Sequence, residues 1–155
     1  MPPSRRRIVQ MSSVGGVIGN PGHAAYATST FALEGLSEAL AGEVAPFGVK
    51  VLIVEPGPFR TDFAGRSMRY TTPSPAYEGT PAGLLRAAFS DQDQVQPNDP
   101  RRAAEIIRAC LRIPTPRCAY RWARRRSTDR IRTTLARQAE EIDRWELLAR
   151  DTRFR

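Results

Sequence analysis

Lysine is almost missing from this chain. Lys50 is the only one in 155 residues, yet the balance is basic, with 24 Lys+Arg against 16 Asp+Glu and a net charge of +8. The basicity is therefore arginine, gathered in Arg5, Arg6 and Arg7 and again between Arg117 and Arg132. Cysteine and histidine are scarce too: Cys110, Cys118 and one histidine, His23, with no CxxC pair. That scarcity excludes a disulfide framework and argues against a structural zinc site. It fits a reducing compartment, and the expected location is cytoplasmic. Long apolar runs are absent as well. No stretch approaches the roughly 20 residues that a membrane span needs, so no membrane partner is expected.

What is present suits a globular α/β protein, with 41% hydrophobic and 8% aromatic residues in about one domain's length. An arginine excess permits binding to nucleic acid or an acidic membrane. No RNP-like strand, zinc spacing or recognition-helix pair accompanies it. The expectation is a solvated arginine-rich surface with no specific nucleic-acid partner. "PSRRRIVQM" followed by "GHAA" imitates a twin-arginine export signal with a small-residue cleavage site. Its would-be apolar region is broken by Gln10, Ser12, Ser13, Gly15, Gly16 and Gly19, so export is not expected.

Along the chain, "RIVQMSS" (residues 7–13) is a β-branched run ending in small polar residues, and it predicts a buried strand. A glycine-rich loop, "VGGVIGNPG", follows. From about 23 to 44, Ala24, Tyr26, Phe31, Leu33, Leu36, Leu40 and Val44 recur at roughly helical spacing. Gly48 closes that helix. "VKVLIVEP" (49–56) is nearly all apolar, as suits a parallel strand covered on both faces. Strand, helix, strand is a βαβ unit, whose crossover is right-handed almost without exception. Asp99 and Pro100 then mark a helix start, with Ala104, Ile107, Ala109 and Leu111 expected inward. A final helix over 127–150 carries Ile131, Leu135, Ile142, Trp145 and Leu148 near one face. In "RCAYRWARRRSTD", Tyr120 and Trp122 among arginines read either as a drifted strand or as a stacking patch for nucleic acid.

The spacing around Tyr26 carries the chemistry. "SSVGGVIGNPGHAAYATST" has the form S-S-x-x-G-x-x-x-x-P-x-x-x-x-Y-x-x-S-T, with Ser13 thirteen residues before Tyr26. After the second strand, "PGPFRT" supplies Pro56, Gly57 and Thr61 in a P-G-x-x-x-T pattern. These segments resemble the active-site and post-strand motifs of the short-chain dehydrogenase/reductase family, and the resemblance covers most of the chain. It implies an α/β fold, an incomplete Rossmann-like parallel sheet with flanking helices. It also implies NAD- or NADP-dependent hydride transfer between an alcohol and a carbonyl of a small molecule. By resemblance, Ser13 polarises the substrate carbonyl and Tyr26 passes the proton. Pro56, Gly57, Phe59 and Thr61 line the nicotinamide, Thr61 through its hydroxyl and Phe59 through its backbone.

The chain departs from the family pattern at position 30, where the family's lysine is replaced by Thr30. A tyrosine hydroxyl ionises near 10, so it is a poor proton donor or acceptor near neutrality unless tuned. Residues i and i+4 share a helix face, so a lysine there would set a cation beside the hydroxyl and favour the phenolate. Thr30 has no charge to offer. The family's phosphate-binding glycine turn also has no counterpart in place. "GGVIG" (15–19) follows the serine strand and runs into the catalytic helix instead. The expected domain is therefore one incomplete unit over 1–155. It divides into a catalytic βαβ segment at 7–64, an irregular substrate-loop region at 65–97 and C-terminal helices at 98–155. The expected function is an oxidoreductase by descent, inactive as the isolated chain. A non-catalytic remnant or partner subunit and a basic nucleic-acid module remain the alternatives. An open edge on the first strand would invite self-association.

Overall fold

A computed structural model describes residues 6–113, 119–122 and 125–150. Within them run β1 (Arg7–Met11), α1 (Ala24–Val44), β2 (Lys50–Pro56), α2 (Pro81–Ser90), α3 (Pro100–Cys110), β3 (Ala119–Trp122) and α4 (Arg125–Arg150). The sheet is three-stranded in the order β1-β2-β3. Both pairings are parallel, with Val9 opposite Leu52 and Val54 opposite Tyr120. This is the α/β class expected, and β1-α1-β2 is the expected crossover unit. Cys118 and Arg5 lie outside the described residues, as do the side chains of Tyr120, Trp122 and Leu148.

The middle strand explains the core. Val51, Leu52, Ile53 and Val54 are buried in succession, an apolar run that suits a strand covered on both faces, and the buried Glu55 follows them. Leu52, Val54 and Cys110 form the centre, with Val9, Ile107 and Leu111 packed against them. The helix over 100–110 starts as its sequence dictates. The Asp99 carboxylate accepts from the Arg101 amide at 2.8 Å, and Pro100 occupies the first turn. Gly48 ends the α1 region in a left-handed conformation (φ 68°) that a side chain would resist.

Three sequence expectations need correction. The inward face of α1 is only partly the apolar one: Tyr26, Leu33, Leu40 and Val44 are half-buried on it. Thr30 and Ser37 are the buried positions, while Ala24, Phe31 and Leu36 are exposed. Each buried hydroxyl is satisfied within the helix: Thr30 donates to the Tyr26 carbonyl (3.0 Å) and Ser37 to that of Leu33 (2.6 Å). Small side chains at these positions let the helix lie close to its neighbours at no cost in unpaired polar groups. On α3, Ala104 and Ala109 are exposed, and Ala103, Ile107, Cys110 and Leu111 take the inner side. Among the described side chains of α4 only Ile131 is buried; Leu135, Ile142 and Trp145 stand exposed. The drifted segment, for its part, is a strand, pairing parallel with β2 through Ala119–Trp122. No helix of the described residues is long and apolar enough to cross a membrane.

Candidate active site

The site forms where β1 and β2 end side by side. The Ser12 amide bonds the Val54 carbonyl at 2.8 Å, which carries the ladder one residue past β1. Ser13 then turns the chain: its Oγ accepts from the Gly15 amide at 3.0 Å, capping a short 3-10 turn over Val14–Gly16. The Ser13 hydroxyl proton is thereby left to point elsewhere, since an acceptor role does not consume it. Gly15 is the hinge between the two candidate catalytic residues. A Cβ built there would lie 3.0 Å from Tyr26 Cε1 and 3.5 Å from Ser13 Oγ. The Tyr26 ring thus packs directly against the backbone that positions Ser13.

After β2 the chain bends through Pro56, Gly57, Pro58 and Phe59. This loop is tied to the segment before α3. Asn98 donates to the Pro58 carbonyl at 2.6 Å, its carbonyl accepts from the Arg60 amide at 2.9 Å, and Phe59 forms a bridge with Asn98. Thr61 Oγ1 accepts from the Phe63 amide at 3.3 Å. Ser13, Tyr26, Pro56, Gly57, Phe59 and Thr61 all line one cavity of about 650 Å³.

Thr30 is not among the lining residues. It is 8% exposed, and its hydroxyl is spent on the Tyr26 and Ala27 carbonyls at 3.0 and 3.2 Å. The carbonyl of Tyr26 also accepts from Ser29 Oγ at 2.8 Å. No cation therefore stands on this helix at position 30.

Sequence reasoning missed several lining residues: Asn20, His23, Phe63, Phe89, Gln96 and Arg130. His23 was legible in principle, three residues before Tyr26 and so on the same helix face. Its ring meets Tyr26 edge-on at 6.0 Å and Phe89 at 5.0 Å. Burial disfavours its charged form and lowers its pKa from 6.5. Phe63 and Phe89 come from segments with no motif. Two buried polar atoms at the cavity, Ser12 Oγ and Gln96 Oε1, have no hydrogen-bond partner, a state that buried groups rarely keep without a ligand or water. Among the described residues no three His, Cys, Asp or Glu side chains gather as a metal site.

Comparison with known proteins adds a family to this geometry. The family model for short chain dehydrogenase matches residues 3–70. Oxidoreductase BOA17 of Botryotinia fuckeliana is 41% identical over 100 residues, covering 64% of this chain and 36% of that protein. A short-chain dehydrogenase structure from Streptomyces avermitilis superposes with a TM-score of 0.81 at 38% identity, over 96% of this chain and 53% of that one. BdcA in complex with NADPH shares the fold, with a TM-score of 0.51 at 23% identity, over 77% of this chain and 45% of that one. The chain thus spans about a third to a half of the length of these proteins.

Proposed function

This chain belongs to the short-chain dehydrogenase/reductase family, and on that premise we propose that its cavity is the substrate side of an NAD(P)-dependent oxidoreductase site. The observation that carries the reading is the convergence of Ser13, Tyr26 and the 56–61 loop on one cavity. In it, the Ser13 hydroxyl donates to the oxygen of an alcohol or carbonyl substrate, and the Tyr26 hydroxyl passes the proton. Pro56, Gly57, Phe59 and Thr61 would hold the nicotinamide. They fit it in one respect: all four border the same cavity, and none of the four carries a charged side chain to oppose a flat ring. Bound NAD or NADP supplies or accepts the hydride. A cytoplasmic setting, and the division into 7–64, 65–97 and 98–155, belong to the same proposal.

One observation favours a second reading, a small-molecule site without turnover at neutral pH. Thr30 is buried, uncharged and bonded to its own helix. The 155 residues alone are expected to bind NAD(P)H below detection, because no helix N-terminus behind a glycine turn serves the pyrophosphate among the described residues. A saturable micromolar site in calorimetry, about −8 kcal/mol, would contradict this.

The oxidoreductase reading is tested by joining the chain, as Thr30→Lys, to a compatible cofactor-binding half. Tyr26→Phe in that protein should lower turnover about a hundredfold or more. Equal turnover with and without the Tyr26 hydroxyl would remove it from the chemistry. The open side of β1, which pairs only with β2 among the described strands, supports self-association as part of the proposal.

A further inference from the structure

The cavity wall is built of rings. His23 meets Tyr26 at 6.0 Å and Phe89 at 5.0 Å, Phe63 meets Tyr26 at 5.5 Å, and Phe63 meets Phe89 at 6.1 Å, closing a circuit. The interplanar angles of 57° to 66° are edge-on or tilted. That is the arrangement aromatic pairs prefer, and it leaves ring faces available to a further flat group. His23 adds no charge to this wall near neutrality, because its burial favours the uncharged ring.

Charge enters at one point. Among the described lining residues there is no aspartate or glutamate, and Arg130 is the only fixed cation. Arg130 comes from α4 to the loop before α1, where it donates to Asn20 Oδ1 at 2.7 Å. Asn20 is neutral, so the guanidinium is held in place without being neutralised. The neighbouring carboxylate, Asp129, faces Arg132 at 3.8 Å. A guanidinium has five donors and one acceptor uses only one or two of them. The rest are left for an anion, and a carboxylate matches the planar fork.

We propose that this site selects a ring-bearing ketone or alcohol that also carries an anionic group. The flat ring lies against His23, Tyr26, Phe63 and Phe89, and the anion meets Arg130 beside Asn20. The proposal rests on the oxidoreductase reading for the reacting carbonyl, but its binding part needs no cofactor.

The test uses the chain as it is. Calorimetry compares 6-acetyl-2-naphthoate with uncharged 2-acetylnaphthalene, on the parent, Arg130→Gln and Phe89→Leu. The naphthoate should bind about three- to tenfold tighter than the neutral ketone, a modest factor because Arg130 is exposed. Arg130→Gln should erase that preference and leave the neutral ketone unchanged. Phe89→Leu should weaken both several-fold and keep the preference. Far-UV circular dichroism shows whether each variant is folded, and a second ring variant, Phe63→Leu, stands in if Phe89→Leu is not. Equal affinity of the two probes, or a preference that survives Arg130→Gln, would overturn the proposal; so would no saturable binding to a folded chain. Hydride transfer without this preference would leave the oxidoreductase reading standing, and the preference without hydride transfer would leave the binding proposal standing.

Discussion

Replacing Thr30 by lysine should set a cation beside the Tyr26 hydroxyl. Four residues along a helix advance about 6 Å, which places position 30 one turn below Tyr26 on the same face. A lysine stem spans that gap and can bring its ammonium to about 5 Å from the phenol oxygen. At an effective dielectric of about 20, unit charges at that distance interact by about 3 kcal/mol, or roughly two pKa units. Tyr26 is only half-buried, so solvent trims the effect to between one and two units. The cost in stability is small. The Thr30 hydroxyl serves carbonyls that already belong to the helix, and lysine is the better helix former. Because Thr30 is 8% exposed, its neighbours must shift to admit the longer stem, and a loss of about 1 kcal/mol is expected. Tyrosinate absorbance of Thr30→Lys, referenced to Thr30→Lys/Tyr26→Phe, should show one tyrosine ionising between one and two units below the parent's. Joined to a cofactor-binding half, the lysine form should turn over about a hundredfold faster at neutral pH. If both forms turned over equally at neutral pH, some other donor would be activating Tyr26 and the account of Thr30 would be wrong.

Other outcomes follow from the same geometry. Gly15→Ala puts a Cβ 3.0 Å from Tyr26 Cε1, so the ring must yield by a few tenths of an ångström. Turnover of the joined Thr30→Lys protein should fall several-fold with little change in melting temperature, since small misplacements cost rate steeply; unchanged turnover would show that the ring's position is not critical. Leu52→Ala empties a side chain that is 1% exposed at the centre of the core. Urea unfolding should show a loss of about 2–5 kcal/mol, and a loss below 1 kcal/mol would mean that Leu52 is not the core's centre. The lowered pKa of His23 makes its contribution to stability complete above pH 6.5. That contribution is lost as pH falls below 6.5 through the lower folded value, because the unfolded chain binds the proton more readily. His23→Gln should flatten the stability slope below about pH 6.5, by a modest amount because the ring is only partly covered. An unaltered slope would assign it to other groups. The open edge of β1 predicts a sedimentation average that rises with concentration, and a monomer at every concentration would argue against pairing there.

Much of the fold was legible because its signals are local. A run such as "VLIVEP" has few homes other than a two-sided parallel strand, and Asp99 before Pro100 has few roles other than opening a helix. Ser13, Tyr26, Pro56, Gly57, Phe59 and Thr61, which line one cavity, were reached through the resemblance of their segments to a family's motifs. What was not legible depended on which face turns inward. On α1, the apolar spacing reached Tyr26, Leu33, Leu40 and Val44 on the covered side but also took in the exposed Phe31 and Leu36, and it passed over Thr30 and Ser37, whose buried hydroxyls bond the preceding turn's carbonyls. That exchange cannot be read from hydrophobicity, since it makes a polar residue behave as a small apolar one. The same blindness hid the ring wall. Phe63, Phe89 and Arg130 come from segments with no shared period, and only the crossing of loop, α2 and α4 brings them to His23 and Tyr26. Position 30 joins the two lessons. Its burial makes threonine a sound structural choice, while its neutrality leaves no cation at that position. Lysine there would add a charge one turn from Tyr26, at the loss of the bonds that Thr30 makes within its helix.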